Sequence, residues 1–505
     1  MTILSLKDAA FIAHIPLFQN LTHTFGPDDR VGLVAQNGAG KSTLLRCFAG
    51  ESELTHGSII RSRGTRIGYV PQDIEPHLLG LTFRDAVLTA LPESQQESEA
   101  WRADVVLDTI NASSEDRGTR VCELSGGWQR LMLLARVWVT DPDVLLMDEP
   151  TNHLDLENIL MLENWLETWA SNMLVVIASH DRSFLDAVTN RTLFLRPDRS
   201  RLYALSYSRA REELAQADAA DAAEQERDLK KAQQLRRQSH KLKNIGINSG
   251  SDLLLKKQKQ LRERAERIED EAKSLHSERA GEIRLSNHRT HAKSLIRIAG
   301  LSVATPQGRA LFGVEKFDVF QGDRIVLLGR NGSGKSTLLR LLRGAIEDGG
   351  ETAGIRATPT LNMVSMDQEL SDVPLDQTPF DFVSGHGQGD ARSRSSLAAA
   401  GIAHDKQGRP IRELSFGQRS RLALLALRFA APNFYLLDEP TTHVDIVGQE
   451  ALADEIKAQG ASCILVSHDR AFVRDVGTRF LVVQKGRLNE AETPEAYFAS
   501  LAPPG

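Results

Sequence analysis

The chain is poor in cysteine, in long apolar runs and in net charge. Cysteine occurs 3 times in 505 residues, at 47, 122 and 463, with no Cys-x-x-Cys pair. That excludes a disulfide framework and a cysteine-rich zinc or iron–sulfur site. No apolar stretch approaches the ~18 residues a membrane-spanning helix needs. The opening MTILSLKDAAFIAHIP has neither the basic region nor the long apolar core of a signal peptide. With 61 Lys+Arg against 67 Asp+Glu the net charge is −6. This argues against a surface that coats nucleic acid throughout, but not against a local basic strip. The reading is a soluble protein of a reducing, cytoplasmic compartment, with about three domains at ~150 residues each.

What the sequence does have is an internal repeat. AQNGAGKST (35–43) returns as GRNGSGKST (329–337), and LSGGWQR (124–130) as LSFGQRS (414–420). LLMDEPTNHLD (145–155) returns as LLDEPTTHVD (436–445), and IASHDRSFL (177–185) as LVSHDRAFV (465–473). Four motifs in one order, at offsets of 288–294 residues, define two homologous modules. The expected division is 1–207, an intervening segment 208–292, and 293–505. Short β-rich runs stop at the motifs: Arg30–Val34, Val144–Met147 and Met173–Ala178, then Arg324–Leu328, Phe434–Leu437 and Cys463–Val466. Buried parallel strands look like this, and such sheets bind ligands at their carboxyl ends. The expected class is α/β, in two copies joined by something different.

That joining segment is nearly free of proline and aromatics from Arg209 to about Lys293. Helix formers fill Ala210–Lys243 and Asp252–Arg279, and NIGINSGS (244–251) separates them. The pattern predicts a long antiparallel helical hairpin with its turn over 244–251. Residues 227–267 carry 13 Lys+Arg against 4 Asp+Glu, a net of +9, so the rest of the chain carries −15. The clusters Lys230-Lys231, Arg236-Arg237, Lys241, Lys243 and Lys256-Lys257-Lys259 lie on both arms. Such a hairpin suits RNA phosphates, and the want of aromatics favours backbone and shape contacts over base stacking.

The motifs carry chemistry. Gly-x-x-x-x-Gly-Lys-Ser folds backbone N–H groups around phosphate at a helix N-terminus. The two copies are Asn37, Gly38, Gly40, Lys41, Ser42 and Thr43, and Gly329, Asn331, Gly332, Gly334, Lys335, Ser336 and Thr337. Lys41 and Lys335 would reach the β/γ phosphates, and Ser42 and Ser336 would coordinate Mg²⁺. Ala35 stands where the first copy should have its leading glycine, which is tolerable only if that residue needs no positive φ. Asp148 and Asp438 would be Mg²⁺-side acids, and Glu149 and Glu439 would orient or polarise the attacking water. His180 and His468 would contact the terminal phosphate. Gln72 and Gln368 would add a metal or water contact. Ser125-Gly126-Gly127 and Ser415-Phe416-Gly417-Gln418 open helices and offer a further anion site.

In this order the motifs resemble the Walker A, Gln loop, LSGG, Walker B and SHD motifs of an ATP-binding cassette ATPase. The tandem pair, the charged helical linker and DEPTNHLD look like the F class of that superfamily, ABC-F. The resemblance implies a monomer whose two cassettes sandwich two ATP molecules head to tail. Each site would pair one Walker A with the other cassette's signature. It also implies action on the ribosome, with the linker reaching toward tRNA, in translation, assembly or antibiotic protection. Lys41 would then meet Ser415, in a site holding both departures, Ala35 and Phe416. Lys335 would meet Ser125 in a regular site, which is expected to hydrolyse faster. Phe11, 30 residues before Lys41, is the expected adenine-stacking residue, and its counterpart Thr305 is not aromatic. Two competing readings are the ATPase component of an ABC transporter, against which the basic hairpin argues, and a DNA-repair or chromosome-organising ATPase, which would need longer coiled coils or zinc cysteines.

Overall fold

The computed structural model describes residues 3–501 apart from 14, 153, 171, 250, 272–282, 289–291, 306, 350, 353 and 387–388. In the first cassette the strands lie in the order Ile67–Val70, Val144–Asp148, Leu174–Ala178, Arg30–Val34, Arg191–Phe194, Arg201–Tyr203. The first five are parallel, and only the last pairing is antiparallel. Every residue of Val144–Asp148 and Leu174–Ala178 is buried, as unbroken apolar runs in a covered sheet require. An antiparallel sheet of Pro16–Phe25, Leu4–Ile12 and His56–Arg61 stands beside it. Leu4, Phe18 and Phe25 from that sheet share one core with Val31, Leu33 and Val176, and with Leu44 and Phe48 of the helix Lys41–Ala49.

The second cassette repeats the arrangement in a single ten-stranded sheet. Its parallel part runs Arg479–Gln484, Arg324–Leu328, Cys463–Val466, Phe434–Asp438, Met363–Met366. The antiparallel strands Ser294–Ala304 and Ala310–Phe320 join it where Gly313 pairs with Arg487. In both cassettes the strand leading into the phosphate loop neighbours the strand ending in Ser-His-Asp, which in turn neighbours the strand ending in Asp-Glu. Motifs more than a hundred residues apart therefore finish at one sheet edge.

The hairpin consists of Tyr207–Ser249 and Asp252–Glu271, packed antiparallel. Small residues let the helices approach: Ala232 and Ala265 are fully buried, and Ser239 Oγ donates to the Gln258 carbonyl at 3.1 Å. The turn is shorter than expected, because helix continues through Asn244–Ser249 and leaves only residues 250–251 between the arms. One glycine within a helix costs ~1 kcal/mol, too little to stop propagation from a long preceding helix. The expected continuation beyond 271 to Arg279 lies outside the described residues. At its root the outgoing helix is clamped to the first cassette: Tyr207 is buried, and Arg196 donates to Asp218 through both Nη nitrogens at 2.8 and 2.7 Å.

The cassettes face each other through the helices that follow their DEPT motifs. Leu156 opens the helix Leu156–Trp169 yet is buried in the second cassette's core, and Ile446 of Ile446–Gln459 is buried in the first cassette's. Arg470 pairs with Glu163 (Nη1–Oε2 3.2 Å), and Arg182 with Glu450 at 3.5 Å.

Candidate functional site

Each phosphate loop sits at a helix start prepared by glycine. Gly40 (φ 94°) caps Lys41–Ala49 and Gly334 (φ 101°) caps Lys335–Glu347, conformations that side chains rarely adopt. A methyl at Gly40 would lie 3.0 Å from Leu17, and at Gly334 2.9 Å from Leu311. The loop lysines fold back on their own backbone: Lys41 Nζ donates to the Ala35 carbonyl at 3.1 Å, and Lys335 Nζ to that of Gly329 at 2.7 Å.

Ala35 does not adopt positive φ, and a neighbouring change makes room for it. A methyl at Gly329 would meet Ser333 Oγ at 2.8 Å, and the residue in that place in the first cassette is Ala39, which has no hydroxyl.

Two clefts lie between the cassettes, and both are composite. One, of about 640 Å³, brings Lys335, Ser336, Gln368, Asp438, Glu439 and His468 against Ser125, Gly126 and Gly127. The other, of about 1020 Å³, brings Lys41, Ser42, Gln72, Asp148, Glu149 and His180 against Ser415, Phe416, Gly417 and Gln418. The signature serines cap the helices aimed across the clefts: Ser125 Oγ accepts from Trp128 N at 3.4 Å and Ser415 Oγ from Gln418 N at 3.3 Å. Phe416 lies edge-on to His443 with centroids 4.8 Å apart, and the Arg419 guanidinium sits 5.4 Å from its ring. Phe11 is not brought to either cleft. Its ring tilts against Phe18 at 6.3 Å, and Leu17 in the first cassette and Leu311 in the second line the clefts instead. Thr305 does line its cleft.

The glutamates are held in strained backbone. Glu149 and Glu439 both have φ 50°, a conformation costing ~1–3 kcal/mol that must be fixed by its surroundings. The fixing is a hydrogen bond from each amide to the adjacent strand, to the Ala178 carbonyl at 2.8 Å and the Val466 carbonyl at 3.0 Å. Each Oε2 also accepts from the following motif, from His180 N at 3.2 Å and His468 N at 3.3 Å. In both residues the buried Oε1 has no hydrogen bond among the described residues, although Lys41 Nζ lies 3.8 Å from that of Glu149. Burial pushes the Glu149 carboxyl up to about 7 and the Glu439 carboxyl up to about 8.

The histidines differ in part. Both Nε2 atoms face their glutamate's Oε1, at 3.3 Å for His180 and 3.5 Å for His468, and His180 Nε2 also lies 2.8 Å from Lys41 Nζ and 3.1 Å from Asn37 Oδ1. Burial and the neighbouring lysine hold both rings neutral, His180 well below the usual range and His468 at about 3.

Several site residues were not singled out from sequence. Asp445 Oδ2 accepts from Asn37 N at 3.3 Å and Asp155 Oδ2 from Asn331 N at 3.2 Å, so each aspartate crosses to the opposite phosphate loop. Asn37 Nδ2 adds a bond to the His443 carbonyl at 2.9 Å. The repeated Asp closing DEPTNHLD and DEPTTHVD was the available signal. Arg130, buried in the signature helix, donates to the Pro71 and Gln72 carbonyls at 2.5 and 3.2 Å and to the Asp148 and Glu149 carbonyls. It ties the glutamine loop to the acidic strand. Its counterpart by the repeat is Ser420, so this tie belongs to the first cassette.

Comparison with known proteins accords with this geometry. The ABC transporter family matches residues 18–152 and 314–442, more than half the chain. ATP-binding protein Uup of Caulobacter vibrioides is 33% identical, over 97% of this chain and 79% of its own. The putative ATP-binding protein YdiF of Bacillus subtilis is 28% identical over 92% and 77%, and ABC transporter F family member 5 of Arabidopsis thaliana 28% over 94% and 74%. Among solved structures, the archaeal ribosome recycling factor aABCE1, in complex with the ribosomal stalk protein aP1, shares the fold with a TM-score of 0.66 at 19% identity. The alignment covers 98% of this chain and 92% of that one. Among the described residues no helix is long and apolar enough to cross a membrane. With two phosphate loops, each closed by the opposite signature, the chain belongs to the ABC transporter family as a tandem-cassette ATP hydrolase of its F class.

Proposed function

We propose that ATP binding in the two clefts draws the cassettes together, that hydrolysis releases them, and that the 227–267 hairpin carries this motion to ribosomal RNA, with tRNA within its reach. The observation that carries the reading is the hairpin itself. Lys230, Lys231, Arg236, Arg237, Lys241, Lys243, Lys256, Lys257 and Lys259 are all exposed, on both arms. Leu253, at the start of the return arm, is 77% exposed. Charge of one sign displayed along a narrow rod suits phosphate backbones and predicts steep salt dependence. In this reading the chain works in the cytoplasm as a monomer divided at 1–207, 208–292 and 293–505. An ATPase component of a transporter would have no use for such a hairpin.

The roles at each site follow from position. Glu439 and Glu149 accept the proton of an attacking water, His468 and His180 donate toward the terminal phosphate, and the signature helices stabilise negative charge from across the cleft. The donor set fits Mg²⁺. Both Asp148 oxygens are buried without a hydrogen bond of normal geometry, and the Ser42 hydroxyl beside them tempers the rise in pKa that burial causes. These are hard oxygen ligands, with Gln72 nearby, and Ser336, Asp438 and Gln368 repeat the set. Bound there, Mg²⁺ would neutralise phosphate charge.

The experiment is cosedimentation of the Glu149→Gln/Glu439→Gln variant with ribosomes in the presence of ATP. Retention that weakens with salt, and falls further when Lys256, Lys257 and Lys259 become Glu, is expected. Failure to sediment with ribosomes would overturn the reading.

A further inference from the structure

All five tryptophans, at 101, 128, 138, 165 and 169, lie in the first cassette, and the second has none. Three of them close around one groove between the helices Gly126–Trp138 and Leu156–Trp169, with Trp138 centroids 4.7 Å from Trp165 and 5.3 Å from Trp169. The groove has a volume of about 100 Å³. Trp169 is 59% exposed, while the Trp165 indole N–H is buried without an acceptor among the described residues.

The second cassette shows what occupies the same groove there. By the offset of 290 that relates Asp148 to Asp438, the three tryptophans correspond to Arg428, Glu455 and Gln459. Each of these holds the segment 283–288 of this chain. Ser286 Oγ donates to the Arg428 carbonyl at 2.8 Å, Leu285 N to Glu455 Oε1 at 2.8 Å, and Asn287 Nδ2 to the Gln459 carbonyl at 3.0 Å. Ile283 and Leu285 are buried in the cassette's core and Arg284 between them is exposed, the alternation of an extended chain.

We propose that the tryptophan groove of the first cassette docks an extended segment of a partner protein carrying two apolar side chains at alternate positions. Arg428 and Gln459 hold the segment through main-chain carbonyls that any residue supplies, but at the third position the side-chain polarity is inverted between the cassettes and sets the contact. Glu455 accepts a backbone N–H, whereas Trp165 in the same place donates and therefore selects a backbone carbonyl. Tryptophan is among the residues in which binding hot spots are enriched, once a partner desolvates it. The apolar surface extends past the groove: Thr109 lines it, and Trp101 and Val105 on the same helix, spaced four residues apart, are 62% and 49% exposed.

The test uses the full chain and its own tryptophan emission, which arises entirely in the first cassette. Capped hexapeptides on the pattern of residues 283–288 carry Ile, Leu, Phe or Ser at the positions of Ile283 and Leu285. Peptides with two apolar residues are expected to shift the emission saturably at roughly 10–100 μM, and the peptide with two serines is not. Trp169→Ala should weaken binding at least about tenfold, or ~1.4 kcal/mol, with ATP turnover unchanged, and Trp169→Phe should restore it. No saturable shift from any apolar peptide below ~1 mM, or binding indifferent to Trp169→Ala, would overturn the proposal. So would a concentration-dependent dimer that Trp169→Ala dissolves, since the occupant would then be a second copy of the chain.

Discussion

Asp445 Oδ2 accepts the backbone N–H of Asn37 at 3.3 Å, so the acid that ends one cassette's DEPTTHVD holds the other cassette's phosphate loop. The same aspartate caps its own helix through Gly448 N at 3.0 Å and pairs with Arg421 at 3.0 Å. Asp155 repeats the arrangement, with Asn158 N at 3.1 Å and Asn331 N at 3.2 Å. Helix capping and cassette alignment therefore depend on one carboxylate per side.

Replacing either aspartate separates these roles. Asp445→Ala should lose more than the ~1 kcal/mol of the cap, because it also leaves Arg421 without its carboxylate, and should lower ATP turnover about tenfold through the lost cross-cassette bond. Asp445→Asn, whose side chain still caps, should keep the cap's share of the stability and lose part of the turnover. Thermal unfolding beside steady-state hydrolysis reads both effects.

The paired changes at Ala35 and Ala39 make a steric prediction. Gly329→Ala alone should weaken ATP binding at the second phosphate loop, because its methyl meets Ser333 Oγ. Adding Ser333→Ala should recover part of the loss, the remainder reflecting the Gly329 φ of 158°. Nucleotide titration of the single and double variants checks this.

Much of the site was legible in sequence because its residues are fixed by chemistry at constant spacing. Lys41, Asp148, Glu149 and His180 fall at the ends of adjacent strands, and an apolar run followed by a polar motif marks such ends. Residues whose role depends on the other cassette were less visible. Nothing in DEPTNHLD alone says that Asp155 crosses to Asn331. The expectation for Phe11 came from a count of residues back from Lys41, which does not report the side-chain packing that sets its ring against Phe18. The hairpin turn was placed too wide because a glycine reads locally as a break, while a helix of 43 residues absorbs it.

The buried glutamates predict a stability signature in nucleotide-free, magnesium-free protein. Carboxyls raised to about 7 and about 8 favour the folded state while protonated, so stability is lost as pH rises through those values. The depressed histidines act oppositely, but only below their unfolded pKa of ~6.5. From pH 6.5 to 8 these carboxyls lower the stability, by on the order of 1–3 kcal/mol at ~1.4 kcal/mol per unit, against the buried loop lysines Lys41 and Lys335, whose lowered pKa works the other way. Glu149→Gln/Glu439→Gln should flatten that fall, as read by Tm against pH.

The two sites should also turn over unequally. The Lys335/Ser125 cleft is regular, whereas the Lys41/Ser415 cleft contains Phe416 and draws His180 onto Lys41. Removing a general base costs about 10²–10⁴-fold at its own site. Glu439→Gln should therefore abolish most hydrolysis, and Glu149→Gln should leave the larger part. Equal losses would contradict the asymmetry.

The most direct measurement counts bound nucleotide in the Glu149→Gln/Glu439→Gln background, where two ATP molecules should be retained. Ser125→Arg should remove one. Adding Lys335→Ala should remove no more, because both residues serve one cleft, while adding Lys41→Ala should remove the second. Loss of both nucleotides with Ser125→Arg/Lys335→Ala, and of only one with Ser125→Arg/Lys41→Ala, would mean that each cassette closes its own site and would contradict the shared clefts described above.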